Sequence, residues 1–137
     1  MNVYMLGGSY CASQLQTVIP QTQEVEPMSE LTKSQRKHIR SLAQRAYEKE
    51  LSQALNSLHE RFQKWQVNEL SPWDLSEDIH NFHDGTAREL YKFYEMTNNF
   101  EFSVAHAVAK GILDFEEIEE NCRAFLRLKI DSLRSIR

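Results

Sequence analysis

Residues 39–65, IRSLAQRAYEKELSQALNSLHERFQKW, decide the fold. Ile39, Leu42, Ala43, Ala46, Tyr47, Leu51, Ala54, Leu55, Leu58, Phe62 and Trp65 recur at a 3.6-residue period with no glycine or proline between them, which is the pattern of an amphipathic helix. Traced back to the hydroxyl residues Thr32 and Ser34, it predicts a helix over about 33–67, roughly 50 Å long at 1.5 Å per residue. A helix of that length with one apolar stripe needs either several shorter helices laid along it or a second copy of itself.

Downstream, Ser71-Pro72-Trp73-Asp74 places a capping hydroxyl, a proline at the first helical position and an acid three residues after the cap. The spacing predicts a second helix over 72–96, bent near Gly85, with Ile79, Phe82, His83, Ala87, Leu90 and Tyr94 on one stripe. Asn98 and Asn99 break it. A short helix with Phe100, Val104, Ala107 and Val108 inward ends at Gly111, which suits a left-handed C-cap. Asp114-Phe115-Glu116-Glu117 repeats the capping-box arrangement. Phe115, Ile118, Cys122, Phe125, Leu126, Leu133 and Ile136 then form the stripe of a last helix.

Upstream, residues 1–30 hold Gly7, Gly8, Pro20 and Pro27 with many Gln, Ser and Thr and no sustained helical period, so they read as a flexible arm. Thr17, Val18 and Ile19 are long enough only for a short strand. The expectation is an all-α fold: a small antiparallel helical bundle of about four helices in one domain, 31–137, with a long first helix and a flexible N-terminal arm.

Composition narrows the function classes. Apolar residues are 41% and charged residues 26% of the 137, with no apolar run near the 20 or so that a membrane span needs. The Val3-Tyr4-Met5-Leu6 stretch has no basic residue before it and is a poor secretory signal. Two cysteines, Cys11 and Cys122, do not make a disulfide scaffold, and Cys122 falls in an apolar stripe as a buried, inert thiol. A cytoplasmic location follows. The net charge of −4 speaks against general polyanion binding, although Lys33, Arg36, Lys37, Arg40 and Arg45 make a local basic run. Without a phosphate loop or zinc-finger spacing, nucleic acid is not the expected partner.

The densest polar constellation is Glu77-Asp78-Ile79-His80-Asn81-Phe82-His83-Asp84. On a helix, His80 lies three residues from His83 and four from Asp84, so these side chains reach neighbouring turns. Imidazole and carboxylate together suit a transition metal, and Glu50, an acid among Tyr47, Leu51 and Ala54, is the best donor from the first helix. Such an acid is costly unless paired, and His83, Arg61 or a metal is the expected partner. A metal set of Glu50, His80, His83 and Asp84 therefore stands beside a plainer arrangement. In the plainer one His83 is interior and bonded to Glu50 or to a backbone carbonyl, while Asp84 pairs with His80 and Arg88. A ferritin-like dinuclear centre is excluded, because Glu77-x-x-His80 has no second copy. No nucleophile or oxyanion donor accompanies the histidines, and the sequence assigns no cofactor. Tyr47, Trp65, Trp73, Arg61 and Arg88 are read as structural or interaction residues, with Trp73 and Phe93 the least easily turned inward.

Through Ala46-Tyr47-Glu48-Lys49-Glu50-Leu51, the Phe62-x-x-Trp65 pair, Ile79-His80-Asn81-Phe82-His83-Asp84-Gly85 and Ala87-Arg88-Glu89-Leu90, the stretch Leu31–Ile118 resembles an uncharacterised family of small all-helical bacterial proteins. That resemblance implies a helical fold and no activity. The leading expectation is a helical protein that works through self-association, a homodimer, or through another protein partner. The alternative is a metal- or small-ligand-binding protein, with metal-dependent catalysis included.

Overall fold

Thr32 starts the long helix. Its side-chain oxygen accepts the Gln35 N–H at 3.2 Å, while Gln35 reaches back to the Thr32 N–H at 2.8 Å, so two otherwise orphaned donors are satisfied together. The computed structural model describes residues 30–136. The expectations of an N-terminal arm, of a strand at Thr17–Ile19 and of the state of Cys11 fall on residues outside these.

Helix α1 is Lys33–Gln66, a rod of 34 residues that matches the predicted span to within one position. Asn68, at φ 61°, turns the chain after it. Ser71 then caps α2, Pro72–Asn81, accepting the Asp74 N–H at 3.1 Å. Without interruption the rod continues through a π-helical turn, Phe82–Ala87, into α3, Arg88–Tyr94. Helix α4, Phe100–Ala109, closes in a Schellman motif: the Ile112 N–H donates to the Ala107 carbonyl, the Gly111 N–H donates to that of Val108, and Gly111 stands at φ 76°. Helix α5 is Glu120–Ser135. The described residues are all helical, four rods with α2, the π turn and α3 joined as one, and contain no strand.

The π turn corrects the predicted phase of the second helix. Before it, Leu75, Asp78 and Phe82 face α1, one position earlier than the predicted Ile79 and His83, which are exposed. A strict α-helix from Phe82 would return Glu89 and Phe93 to that side seven and eleven residues later. One extra residue taken up by wider winding moves these positions to Leu90 and Tyr94, and Tyr94 is only 1% exposed.

The core gathers at one end. Ile39, Leu42, Ala43 and Ala46 of α1 pack with Val104, Ala107 and Val108 of α4 and with Cys122, Leu126 and Ile130 of α5. The segment between α4 and α5 runs back along α1. It begins at Ile112, whose carbonyl accepts from Lys49, and reaches Glu119, whose N–H donates to His38 Nε2 at 3.0 Å. Leu113 and Ile118 are buried on the way. The Asp114–Glu117 capping box forms as read, but it caps a single 3-10 turn, Phe115–Glu117, and the last helix starts only at Glu120. Ile136, predicted inward, is exposed. Glu117 gathers Arg45 and Lys49, and its carboxyl is held below the ordinary range, first by the Asp114 N–H and then by these cations. Cys122 is buried, and burial pushes its thiol up, as an inert thiol requires.

The two glycines should respond oppositely to alanine. At Gly85 an added Cβ meets nothing within 4 Å and φ is not positive, so Gly85→Ala is expected to raise stability by about 0.4–1 kcal/mol. Gly111→Ala forces a side chain into the left-handed region and should cost roughly 1–2 kcal/mol. Urea denaturation followed by circular dichroism measures both; equal shifts would contradict the assigned backbone.

Candidate functional site

The four side chains read as a metal set are divided between different surroundings. His80 Nε2 meets Asp84 at 3.2 Å, but their side chains are 74% and 51% exposed, a surface pair. His83 points outward beside them rather than into the core, so the expected His83–Glu50 pair does not form. Among the described residues no three His, Cys, Asp or Glu side chains converge to hold a metal. Asp84 also fails to meet Arg88, because the π turn between them breaks the four-residue spacing on which that pair depends. Arg88 instead edges a groove of about 350 Å³ with His83, Asp84, Ala87 and Tyr91.

Arg61 is likewise not the partner of Glu50. Its Nε donates to Asp78 Oδ2 at 2.5 Å, a partly buried bond joining α1 to α2. Asp78 was not singled out in the sequence, although its position three residues after the inward-facing Leu75 carried the signal.

The partners of Glu50 lie elsewhere. Its half-buried carboxylate stands near the Tyr94 hydroxyl at the end of α3 and near His106 on α4. Burial first, and Glu50 second, push the Tyr94 pKa far above its ordinary value, so the phenol stays protonated. Proximity stops short of hydrogen-bond geometry, and the buried Tyr94 hydroxyl and His106 Nδ1 both lack a partner among the described residues. Burial and then Lys110 hold the His106 pKa below its usual value, against the opposing pull of Glu50. Around these groups the rings close up. Tyr47 stacks on Tyr94 at 5.5 Å, Phe93 meets Tyr94 edge-on at 4.8 Å, and His106 lies 5.0 Å from Phe93 and 6.2 Å from Phe102. Phe93, read from the sequence as hard to turn inward, packs within this cluster, and His106 beside it is only partly exposed. Three acid–base groups, Glu50, Tyr94 and His106, meet here, and His106 also lines an open groove of about 480 Å³ with Lys110, Leu133 and Arg134.

The remaining interaction residues mark the hairpin formed by α1 and α2. Trp73 is 83% exposed, and Trp65 and Val67 are also exposed at the same closed end. No protein-family model, no curated protein and no solved structure matches the chain. These comparisons carry no activity over to this chain.

Two outcomes follow for the ring cluster. Tyr94→Phe removes an unpartnered buried hydroxyl and should leave stability unchanged or raise it by up to about 1 kcal/mol. Tyr94→Ala deletes the stacked ring and should cost roughly 3–5 kcal/mol, both read from urea midpoints. For His106, the unfolded chain takes up a proton near pH 6.5 while the folded chain does so only lower. The unfolded state therefore binds more protons in that window, and stability falls as pH drops below about 6.5. Wild type should lose more stability than His106→Gln between pH 7.5 and pH 5; parallel losses would refute the shift.

Proposed function

We propose that this protein works by association, and that the exposed side of the α1–α2 hairpin receives a second copy of the chain. The observation that carries the reading is the uneven cover of α1. Its first half is enclosed by α4 and α5, whereas from Leu51 onward the α2–α3 rod is what lies against it among the described residues. That hairpin is two helices thick, and its outer surface keeps Leu55, Ile79 and Tyr91 about half exposed, with Trp65, Val67 and Trp73 at its end. Exposed apolar groups scattered singly are ordinary, but two tryptophans at one closed end of a thin hairpin are the composition that interfaces favour. Two hairpins related by a two-fold axis would form a four-helix layer in which each covers the other, so the same surface serves both copies.

No described helix is long and apolar enough to cross a membrane, so the exposed apolar residues do not belong to a spanning segment. The test is the mass in solution of the whole chain by light scattering and sedimentation. A concentration-dependent species of twice the 16.1 kDa chain mass is expected, weakened by Tyr91→Glu with helicity retained. A monomer at every concentration up to about 1 mM, where even weak specific pairs assemble, would overturn it.

A further inference from the structure

Resting on that self-association reading, we infer that Trp73 of one copy seats in the groove beside Arg88 and Tyr91 of the other, with the two α2–α3 rods antiparallel across a two-fold axis. Trp73, Glu77 and His80 are spaced by four and three residues on α2, and all are exposed, so they share the face of the rod turned away from α1. His80 reaches Asp84, and Asp84 lines the groove of about 350 Å³ with His83, Ala87, Arg88 and Tyr91. The exposed indole and the groove therefore lie along one side of one rod.

The groove presents an exposed cation. The Arg88 side chain makes no ion pair, hydrogen bond or ring contact with the described residues, unlike that of Lys92 on the same segment, which pairs with Glu89 at 3.1 Å. Tyr91, 51% exposed, offers a ring beside it. A tryptophan laid there meets a guanidinium over its face and an aromatic neighbour, the composition that concentrates binding energy at interfaces. Trp73 cannot fill the groove of its own chain. It is 15 residues from Arg88, roughly 22 Å along the rod.

Charge selects the orientation. Outside the Arg61–Asp78 pair, which faces α1, residues 72–80 carry Asp74 and Glu77, a sum of −2; residues 81–94 carry Asp84 and Glu89 against Arg88 and Lys92, a sum of 0. Parallel rods would set −2 against −2. Antiparallel rods set −2 against 0, and the same two-fold axis, crossing near His80 and Asn81, makes the tryptophan contact twice.

A double-mutant cycle on dimerisation of the full chain tests this, with wild type, Trp73→Ala, Arg88→Ala and the double variant compared by sedimentation equilibrium. Both residues are exposed, so the helicity of the monomer should hold. Each single change should raise the dimer dissociation constant by about tenfold or more, and the double variant should be weakened by less than the product of the two. Coupling between groups so far apart in one chain arises only across copies. If wild type is a monomer, the association reading itself fails. A dimer indifferent to Trp73→Ala, or two losses that simply multiply, overturns this inference and leaves the association reading standing.

Discussion

The stacking of Tyr47 on Tyr94 is the contact on which the rest of the molecule depends, because it is where the hairpin is fastened to the core. Tyr47 lies on α1 just beyond the buried run that ends at Ala46, and Tyr94 closes the rod that returns from the far end of the hairpin. Through Phe93 and Tyr94 the same junction reaches the rings of α4, and Ser103 of α4 donates to the Phe93 carbonyl at 3.3 Å. A rod arriving one residue out of phase would present Phe93 and the charged Glu89 to α1. Correct phase is therefore a condition for closing the core, and the π turn meets it at the cost of regular hydrogen bonding over six residues.

From this fastening the stability of the chain is unevenly distributed. The end holding Ile39, Leu42, Leu126 and Ile130 buries large side chains completely, each worth roughly 1.5–3 kcal/mol relative to exposure. In the hairpin beyond Leu51, Leu75 alone among the described residues is fully buried, and Arg61–Asp78 and the Ser71 cap supply the polar ties. An element with so little buried surface stays in place through helix continuity and through its attached end. That is the physical reason a further covering layer would stabilise it, and it sets apart the half of the chain suited to packing from the half suited to contact.

Much of this fold was legible from residues 39–65 outward, because periodicity reports which side of a straight helix is apolar and capping residues report where helices begin. Thr32, Ser71 and Gly111 all act as their chemistry requires. What could not be read was a change in winding. Ile79, His83, Leu90 and Tyr94 do form a stripe at a constant 3.6-residue period, but the chain follows two shorter stripes, Leu75–Phe82 and Leu90–Tyr94, joined by one additional residue. Since the metal reading drew on that constant phase, the error moved to the candidate site: His83 was turned inward, Glu50 was matched with the wrong helix, and Asp78, which pairs with Arg61, was passed over. That Glu50 needed company was sound; which residue stood opposite depended on tertiary phase.

The same winding links the interior to the surface. An α-helical 84–88 segment would have set Asp84 one turn before Arg88 and satisfied both on the outside of the rod. The π turn that carries Tyr94 into the core instead leaves Asp84 to His80 and strands the Arg88 guanidinium beside Tyr91. Core closure and a cation on the outer face without a side-chain partner among the described residues are two consequences of one inserted residue. A sequence change that restored regular winding would be felt at both places at once, loosening the Tyr47–Tyr94 contact while supplying Arg88 with an internal partner.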